Sequence, residues 1–289
     1  MKEKIGFIGT GVMGTGMILN LLKHDYPVTV YNRTKAHAQA VLAAGATWLD
    51  TPSEVAQAVD VIITIVGFPQ DVQEVYFGRD GIFEGAHSGQ TLIDMTTSRP
   101  DIAVRIYNEA KPKHIATLDA PVSGGDVGAK AGTLSIMVGG EQATLTKVRP
   151  ILAAMGQKIN YFGTAGNGQH AKMANQIMIA GTMTGLTEML VYAKKAGLDL
   201  QTVLDTVGSG GGANWSLSNY GPRILKADYT PGFFAKHFLK DLRIALDSAK
   251  AMQLDLPATR QAAELYRILV EDHQLGNDGT QALVKLWWS

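Results

Sequence analysis

From residue 4 to about 161, short β-branched apolar runs alternate with helical patterns, the arrangement produced by a parallel sheet built from β-α-β units. Ile5 to Ile8, Val28 to Tyr31, Val61 to Val66, Thr91 to Asp94, Ile115 to Asp119, Leu134 to Val138 and Ile159 to Phe162 predict strands, with a weaker one near Thr47. Between them, Val12 to His24, Lys35 to Ala44, Glu54 to Val59, Val72 to Phe77, Asp101 to Ala110 and Ala143 to Met155 carry apolar residues at helical spacing. Thr51-Pro52-Ser53-Glu54 marks one helix start, with Thr51 as N-cap, Pro52 in the first position and Glu54 closing a capping box.

After Gly163 the strand patterns stop. Gln169 to Ala196 contains no proline and no strong turn signal, which predicts a helix of about 28 residues and roughly 42 Å joining two domains. The remainder is helical, with breaks expected at Gly208 to Gly212, Gly221-Pro222, Pro231-Gly232, Pro257 and Gly276. Leu200 to Thr206, Leu239 to Met252 and Thr259 to His273 are among its pieces. The expected architecture is α/β: a mostly parallel, doubly wound sheet in residues 1–163, then an all-helical domain in residues 164–289.

Composition narrows the chemistry. Lys+Arg 26 against Asp+Glu 26 leaves no global field for nucleic acid or an anionic membrane, and no stretch approaches the ~18 apolar residues of a membrane span. Cys 0 excludes disulfides, thiolate nucleophiles and sulfur-ligated metals and fits a cytoplasmic protein. The start, Met1-Lys2-Glu3-Lys4-Ile5-Gly6-Phe7-Ile8-Gly9, lacks the apolar run and cleavage site of a signal peptide and reads as the first strand. The 7 histidines are scattered without metal-ligand spacing, so a metal-assisted route is unsupported.

Gly9-Thr10-Gly11-Val12-Met13-Gly14 follows a strand and opens a helix, the context in which G-x-G-x-x-G binds a dinucleotide pyrophosphate in a Rossmann-type domain. An NAD site of this kind ends its second strand in Asp or Glu, for the ribose 2′-hydroxyl. Here that strand runs into Asn32-Arg33-Thr34. Arg33 suits a 2′-phosphate, with Asn32 and Thr34 as neutral partners, so NADP is favoured and NAD is the alternative.

These residues resemble the β-hydroxyacid dehydrogenases, the family of 3-hydroxyisobutyrate dehydrogenase and tartronate semialdehyde (2-hydroxy-3-oxopropionate) reductase. The resemblance spans nearly the whole chain. It rests on Gly6 to Gly14, Asp119-Ala120-Pro121-Val122-Ser123-Gly124-Gly125, Gly166-Asn167-Gly168-Gln169-His170-Ala171-Lys172-Met173-Ala174-Asn175 and Lys240-Asp241-Leu242. It implies hydride transfer between NADP(H) and a small hydroxy acid or semialdehyde acid, with Lys172 as the catalytic acid/base and Asn175 binding substrate.

Gln169, Lys172, Asn175 and Gln176 are spaced to share one helix face, a polar stripe on an otherwise apolar helix. Ser123, Gly124 and Gly125 lie past a strand end, where a hydroxyl and two unhindered N–H groups suit a carboxylate, and in the family this loop contacts the substrate. An ordinary flexible loop is the alternative. Thr96 resembles a position beside the nicotinamide, the alternative being a helix N-cap for the segment after Pro100. Val66, at the end of the Val61 run, and Lys240, matching the family's Lys-Asp pair at the start of a helix pattern, complete the cofactor set. Gln176 stands where many members have a second asparagine, similar to the tartronate semialdehyde branch, and joins the substrate-binding set. Lys172 argues against an imine reductase-like enzyme and against a non-catalytic binding module of the same fold; a phosphogluconate-type decarboxylase would be a considerably longer chain. Few charges from Ile177 to Leu190 and a terminal Leu286-Trp287-Trp288 predict a homodimer or homotetramer through the helical domain.

Overall fold

The computed structural model describes residues 2–288. The chain divides into two compact units, the first ending at Lys172 and the second beginning at Met173. In the first unit the order is β1 (Ile5–Ile8), α1 (Val12–Lys23), β2 (Val28–Tyr31), α2 (Gln39–Ala43), β3 (Thr47–Trp48), α3 (Pro52–Ala58), β4 (Val61–Thr64), α4 (Pro69–Phe77), α5 (Ile82–Gly85) and β5 (Thr91–Asp94). It continues with α6 (Pro100–Ala110), β6 (Ala116–Asp119), β7 (Val122–Ser123), α7 (Gly125–Ala131), β8 (Leu134–Gly140), α8 (Gln142–Ala153) and β9 (Gly156–Tyr161).

The sheet runs β3-β2-β1-β4-β5-β6-β8-β7, with β9 paired to β8. From β3 to β6 every pairing is parallel, as in Ile5↔Val28 and Ile5↔Val61 on the two sides of β1. Strands β1, β4 and β5 are buried on both faces, and β1 and β4 accordingly lack the polar alternation of a half-exposed strand. One layer packs Met17, Ile18 and Leu21 of α1 with Val148, Ile151 and Leu152 of α8. The other packs Val72, Tyr76, Ile102 and Ile106 from α4 and α6. The Thr51 hydroxyl accepts from Glu54 N–H at 3.0 Å while the Glu54 carboxylate accepts from Thr51 N–H at 3.1 Å, the reciprocal cap expected there.

Beyond β6 the parallel pattern changes. Strand β8 runs antiparallel to β6 and β7, and the two-residue β7 is too short to leave a pattern in the sequence. The segment after Gly124 is a helix, α7, closed by Gly132 in the left-handed conformation at φ 69°. Asn20 of α1 holds it, donating its side-chain amide to Ala129 O at 2.7 Å.

Helix α9 spans Asn167–Lys195, 29 residues and about 43 Å. The second unit holds its body with α10 (Leu200–Gly208), α11 (Trp215–Leu225), α12 (Ala235–Ala251) and α13 (Pro257–Arg267). One core collects Phe238, Leu239, Leu242, Tyr266 and Leu269, and another Met183, Leu186, Leu190, Leu204, Leu217 and Ile224. The expected break at Gly221-Pro222 is absent, because both residues lie inside α11. Pro222 deprives the Ser218 carbonyl of its helical donor, and Ser218 is exposed, so the loss is cheap. Gly221 is required by packing, since a Cβ there would lie 2.7 Å from Leu204 Cδ2. Among the described residues no helix is long and apolar enough to cross a membrane.

Candidate functional site

Strand order reverses direction around β1, with β2 on one side and β4 on the other, and ligands of open α/β sheets bind outside the carboxyl ends of the strands at such a point. The glycine turn lies there. Gly9 has φ 108°, and a Cβ on it would stand 2.1 Å from Ile65 O; one on Gly14 would stand 1.9 Å from Gly9 O. Both close approaches exclude any side chain. Gly11, in contrast, faces open space. Helix α1 starts behind it with no side-chain cap and no acidic residue in its first turn, leaving the N–H groups of Val12, Met13 and Gly14 for an anion. The Thr10 hydroxyl is buried without a partner in the same turn. This cradle fits a dinucleotide pyrophosphate.

Asn32 shapes the turn, accepting from Thr10 N–H at 3.0 Å and donating to Thr34 O at 2.9 Å. Arg33 is 86% exposed and reaches Asp71 Oδ1 at 3.1 Å, so its guanidinium stands on the outer side of the β2 end. Thr96 is buried; its hydroxyl accepts from Val66 N–H at 3.1 Å and its own N–H goes to Asp94 Oδ1 at 3.1 Å. Thr96 does not cap α6, whose N-cap is Arg99.

Lys172 occupies the second turn of α9 and is 6% exposed. Its Nζ donates to Val122 O at 2.8 Å, which sets the ammonium beside the residue that precedes Ser123. Ser123 and Gly125 are half-buried and Gly124 exposed, and both glycines have positive φ, 130° and 63°. Gly125 opens α7, whose first N–H groups have no acceptor within the helix.

Two residues to which the sequence reading gave no role in the site hold the start of α9. Asp119, at the end of β6, accepts from Gly166 N–H through Oδ1 and from Gln169 N–H through Oδ2, both at 2.8 Å. Burial pushes its carboxyl up to about 6, against the opposing pull of those two donors. Gly139 and Gly168 make room: a Cβ on either would come within 2.6 to 2.8 Å of an Asp119 carboxylate oxygen. Gln169 is fully buried, accepting from Ser98 N–H at 2.9 Å and donating to Thr96 O at 2.7 Å. The available signal was a carboxylate ending an apolar strand, and a glutamine on the Lys172 face.

In the second unit Asn175 donates to Gln176 Oε1 at 2.7 Å, and Gln176 Nε2 donates to Asp241 Oδ2 at 2.5 Å. Asp241 also pairs with Lys240 Nζ at 2.9 Å. Both ends of the buried Gln176 amide are therefore occupied, while the half-buried Asn175 keeps its carbonyl oxygen for another partner. Lys240 lies in the second turn of α12 rather than at its start.

Residues 4–166 match the NAD binding domain of 6-phosphogluconate dehydrogenase, and residues 166–287 match the NAD-binding domain of NADP-dependent 3-hydroxyisobutyrate dehydrogenase. An uncharacterized oxidoreductase of Bacillus subtilis is 50% identical over 99% of both chains. A probable mitochondrial 3-hydroxyisobutyrate dehydrogenase-like protein of Arabidopsis thaliana is 48% identical over 98% of this chain and 84% of its own. The 2-hydroxy-3-oxopropionate reductase of Escherichia coli is 38% identical over 91% of this chain and 90% of its own. The structure of Mycobacterium tuberculosis 3-hydroxyisobutyrate dehydrogenase with L-serine superposes with a TM-score of 0.91, 30% identity and complete coverage of both chains. With the glycine turn at the strand-order reversal and two matches that together run nearly end to end, the chain belongs to the β-hydroxyacid dehydrogenase family.

Proposed function

We propose that this protein is an NADP(H)-dependent oxidoreductase that interconverts a small hydroxy acid and the corresponding semialdehyde acid, with Lys172 as general acid/base. The observation that carries this reading is the buried Lys172 ammonium, 2.8 Å from Val122 O at the edge of the Ser123-Gly124-Gly125 turn. When bound, the nicotinamide supplies the hydride acceptor or donor. The protein supplies the rest. Gly9 to Gly14 hold the pyrophosphate, and Val66 and Thr96 line the nicotinamide side. Asn32, Arg33 and Thr34 take the 2′-phosphate, for which Arg33 exchanges its ion pair with Asp71.

Ser123 Oγ and the N–H groups of Gly124 and Gly125 bind the substrate carboxylate, and Asn175 binds the substrate through its unused carbonyl oxygen. Lys172 gives a proton to the carbonyl oxygen on reduction and recovers it on oxidation. A single donor next to a carboxylate cradle selects substrates whose reacting oxygen lies one or two carbons from the carboxylate. The Escherichia coli relative's name, 2-hydroxy-3-oxopropionate reductase, agrees with such a substrate. We further propose a homodimer or homotetramer through the helical unit, supported by exposed Met178 and Tyr192 on α9 and by Gly181 and Gly185, which face open space on the same helix.

Lys172→Ala tests the assignment. Turnover is expected to fall at least ~10²-fold with cofactor affinity nearly unchanged, since positioned proton transfer contributes about 10²–10⁴-fold. A variant keeping more than a third of wild-type turnover would overturn the assignment. The carboxylate is tested by comparing kcat/KM for a semialdehyde acid with that for the matching simple aldehyde; a ratio near one refutes the cradle.

A further inference from the structure

We propose that Gln169 is a positioning residue for proton transfer, fixing where Lys172 stands relative to the nicotinamide-side residues Val66 and Thr96. The inference rests on the reading of Lys172 as the proton donor. Every bond in the argument lies in the first unit. Val66 N–H donates to Thr96 Oγ1 at 3.1 Å, Gln169 Nε2 donates to Thr96 O at 2.7 Å, and Ser98 N–H donates to Gln169 Oε1 at 2.9 Å. Gln169 N–H donates in turn to Asp119 Oδ2 at 2.8 Å. Lys172 follows three residues later on the same helix face, a rise of about 4.5 Å.

The start of α9 does not need the Gln169 side chain. Asp119 already accepts two of its orphan N–H groups, and a helix cap asks no more than that. The glutamine instead uses both ends of a fully buried amide on the backbone of the loop that follows β5. An amide is the uncharged group that meets this demand, because the loop offers one N–H and one C=O within reach of a single side chain. Without Gln169, α9 stays attached at β6 through Asp119 but loses its tie to the Thr96 loop. The Lys172 ammonium is then still held through Asp119 and Val122 O but no longer tied to the loop that carries the cofactor-facing residues, and a displacement of about 1 Å costs on the order of 10²-fold in rate.

The test is Gln169→Met, which keeps length and volume and removes both bonds. Positioning predicts a 10- to 100-fold lower kcat with Kd for NADPH, from quenching of protein fluorescence, within about threefold of wild type. A second measurement uses the cofactor-free protein: the rate at which acetic anhydride labels Lys172 as a function of pH, read by peptide mass spectrometry. The pH profile of Lys172 is expected to shift while that of the distant Lys147 does not. If kcat stays within threefold and the labelling profile is unchanged, the inference is wrong.

If Gln169→Met does not fold, Gln169→Glu decides. Its protonated carboxyl accepts from Ser98 N–H and donates to Thr96 O, so kcat relative to wild type is expected to recover at least fivefold between pH 8 and pH 5.5. A ratio flat across that range overturns the proposal. Lys172→Ala separates the two levels: an active Lys172→Ala defeats the reading of Lys172 itself, whereas an inactive Lys172→Ala beside a fully active Gln169→Met defeats this inference alone.

Discussion

Asp119 gives the folded chain a pH dependence opposite to that of an ordinary paired carboxylate. Burial holds its midpoint at about 6 in the folded protein against 3.8 when exposed, so the folded state binds the proton more tightly than the unfolded state does. Stability from this group is therefore fully present below pH 3.8, falls as pH rises toward 6, and is flat above it. Moving a midpoint from 3.8 to about 6 corresponds to about 3 kcal/mol, of which about 2 kcal/mol falls between pH 4 and pH 7.5. Asp119→Asn removes the titration. Its amide oxygen still accepts one of the N–H groups of Gly166 and Gln169, while its NH2 turns a donor toward the other.

At pH 7.5 the lost charge-assisted bond, about 1.5–3 kcal/mol, is largely offset by no longer burying a charge. The variant is accordingly expected to come close to wild type there. At pH 4 that offset is gone, and the gap in favour of wild type is expected to widen by about 2 kcal/mol. Urea unfolding followed by tryptophan fluorescence and circular dichroism, on both proteins from pH 4 to pH 7.5, measures that gap directly. A gap constant to within about 0.5 kcal/mol over this range refutes the reasoning, because it requires Asp119 to titrate alike in the folded and unfolded chains.

Arg33→Ala is expected to weaken NADPH more than NADH in fluorescence titrations; equal affinity of the unmodified protein for the two would make Arg33 only a partner of Asp71. Gly14→Ala forces the turn apart, since the new Cβ would start 1.9 Å from Gly9 O. Loss of dinucleotide binding together with about 1–3 kcal/mol of stability is expected, and wild-type titration and melting curves would contradict it. Sedimentation at micromolar concentration is expected to give a dimer or tetramer, and a stable monomer would remove the role assigned to the exposed face of α9.

The parallel half of the fold was legible because burial on both faces imprints itself on composition: β1 and β4 are apolar at every position or nearly so. The glycine turn was legible for a steric reason that spacing alone conveys, since Gly9 and Gly14 leave no room for a methyl group. What escaped depended on contacts distant along the chain. Pro222 was read as a break because its local cost is plain, while the exposure that makes the cost small is not. Gln169 could be placed on the Lys172 face, but its partners, Thr96 and Ser98, lie about seventy positions away and face it only after folding. Gln176 shows the same limit: its spacing suggested an available amide, and Asp241, from α12, occupies one end of it.

The attachment of α9 to β6 and to the Thr96 loop also decides how this protein can be shortened. A chain stopped at Phe162, just after the last strand, would keep the sheet and lose both donors to the buried Asp119, together with the Gln169 side chain that satisfies Ser98 N–H and Thr96 O. An uncompensated carboxylate and two stranded backbone groups would remain in its interior. The smallest fragment that retains the cofactor half therefore extends into α9 at least through Gln169. Any attempt to transplant the dinucleotide cradle onto another protein has to bring that first stretch of helix as part of the graft.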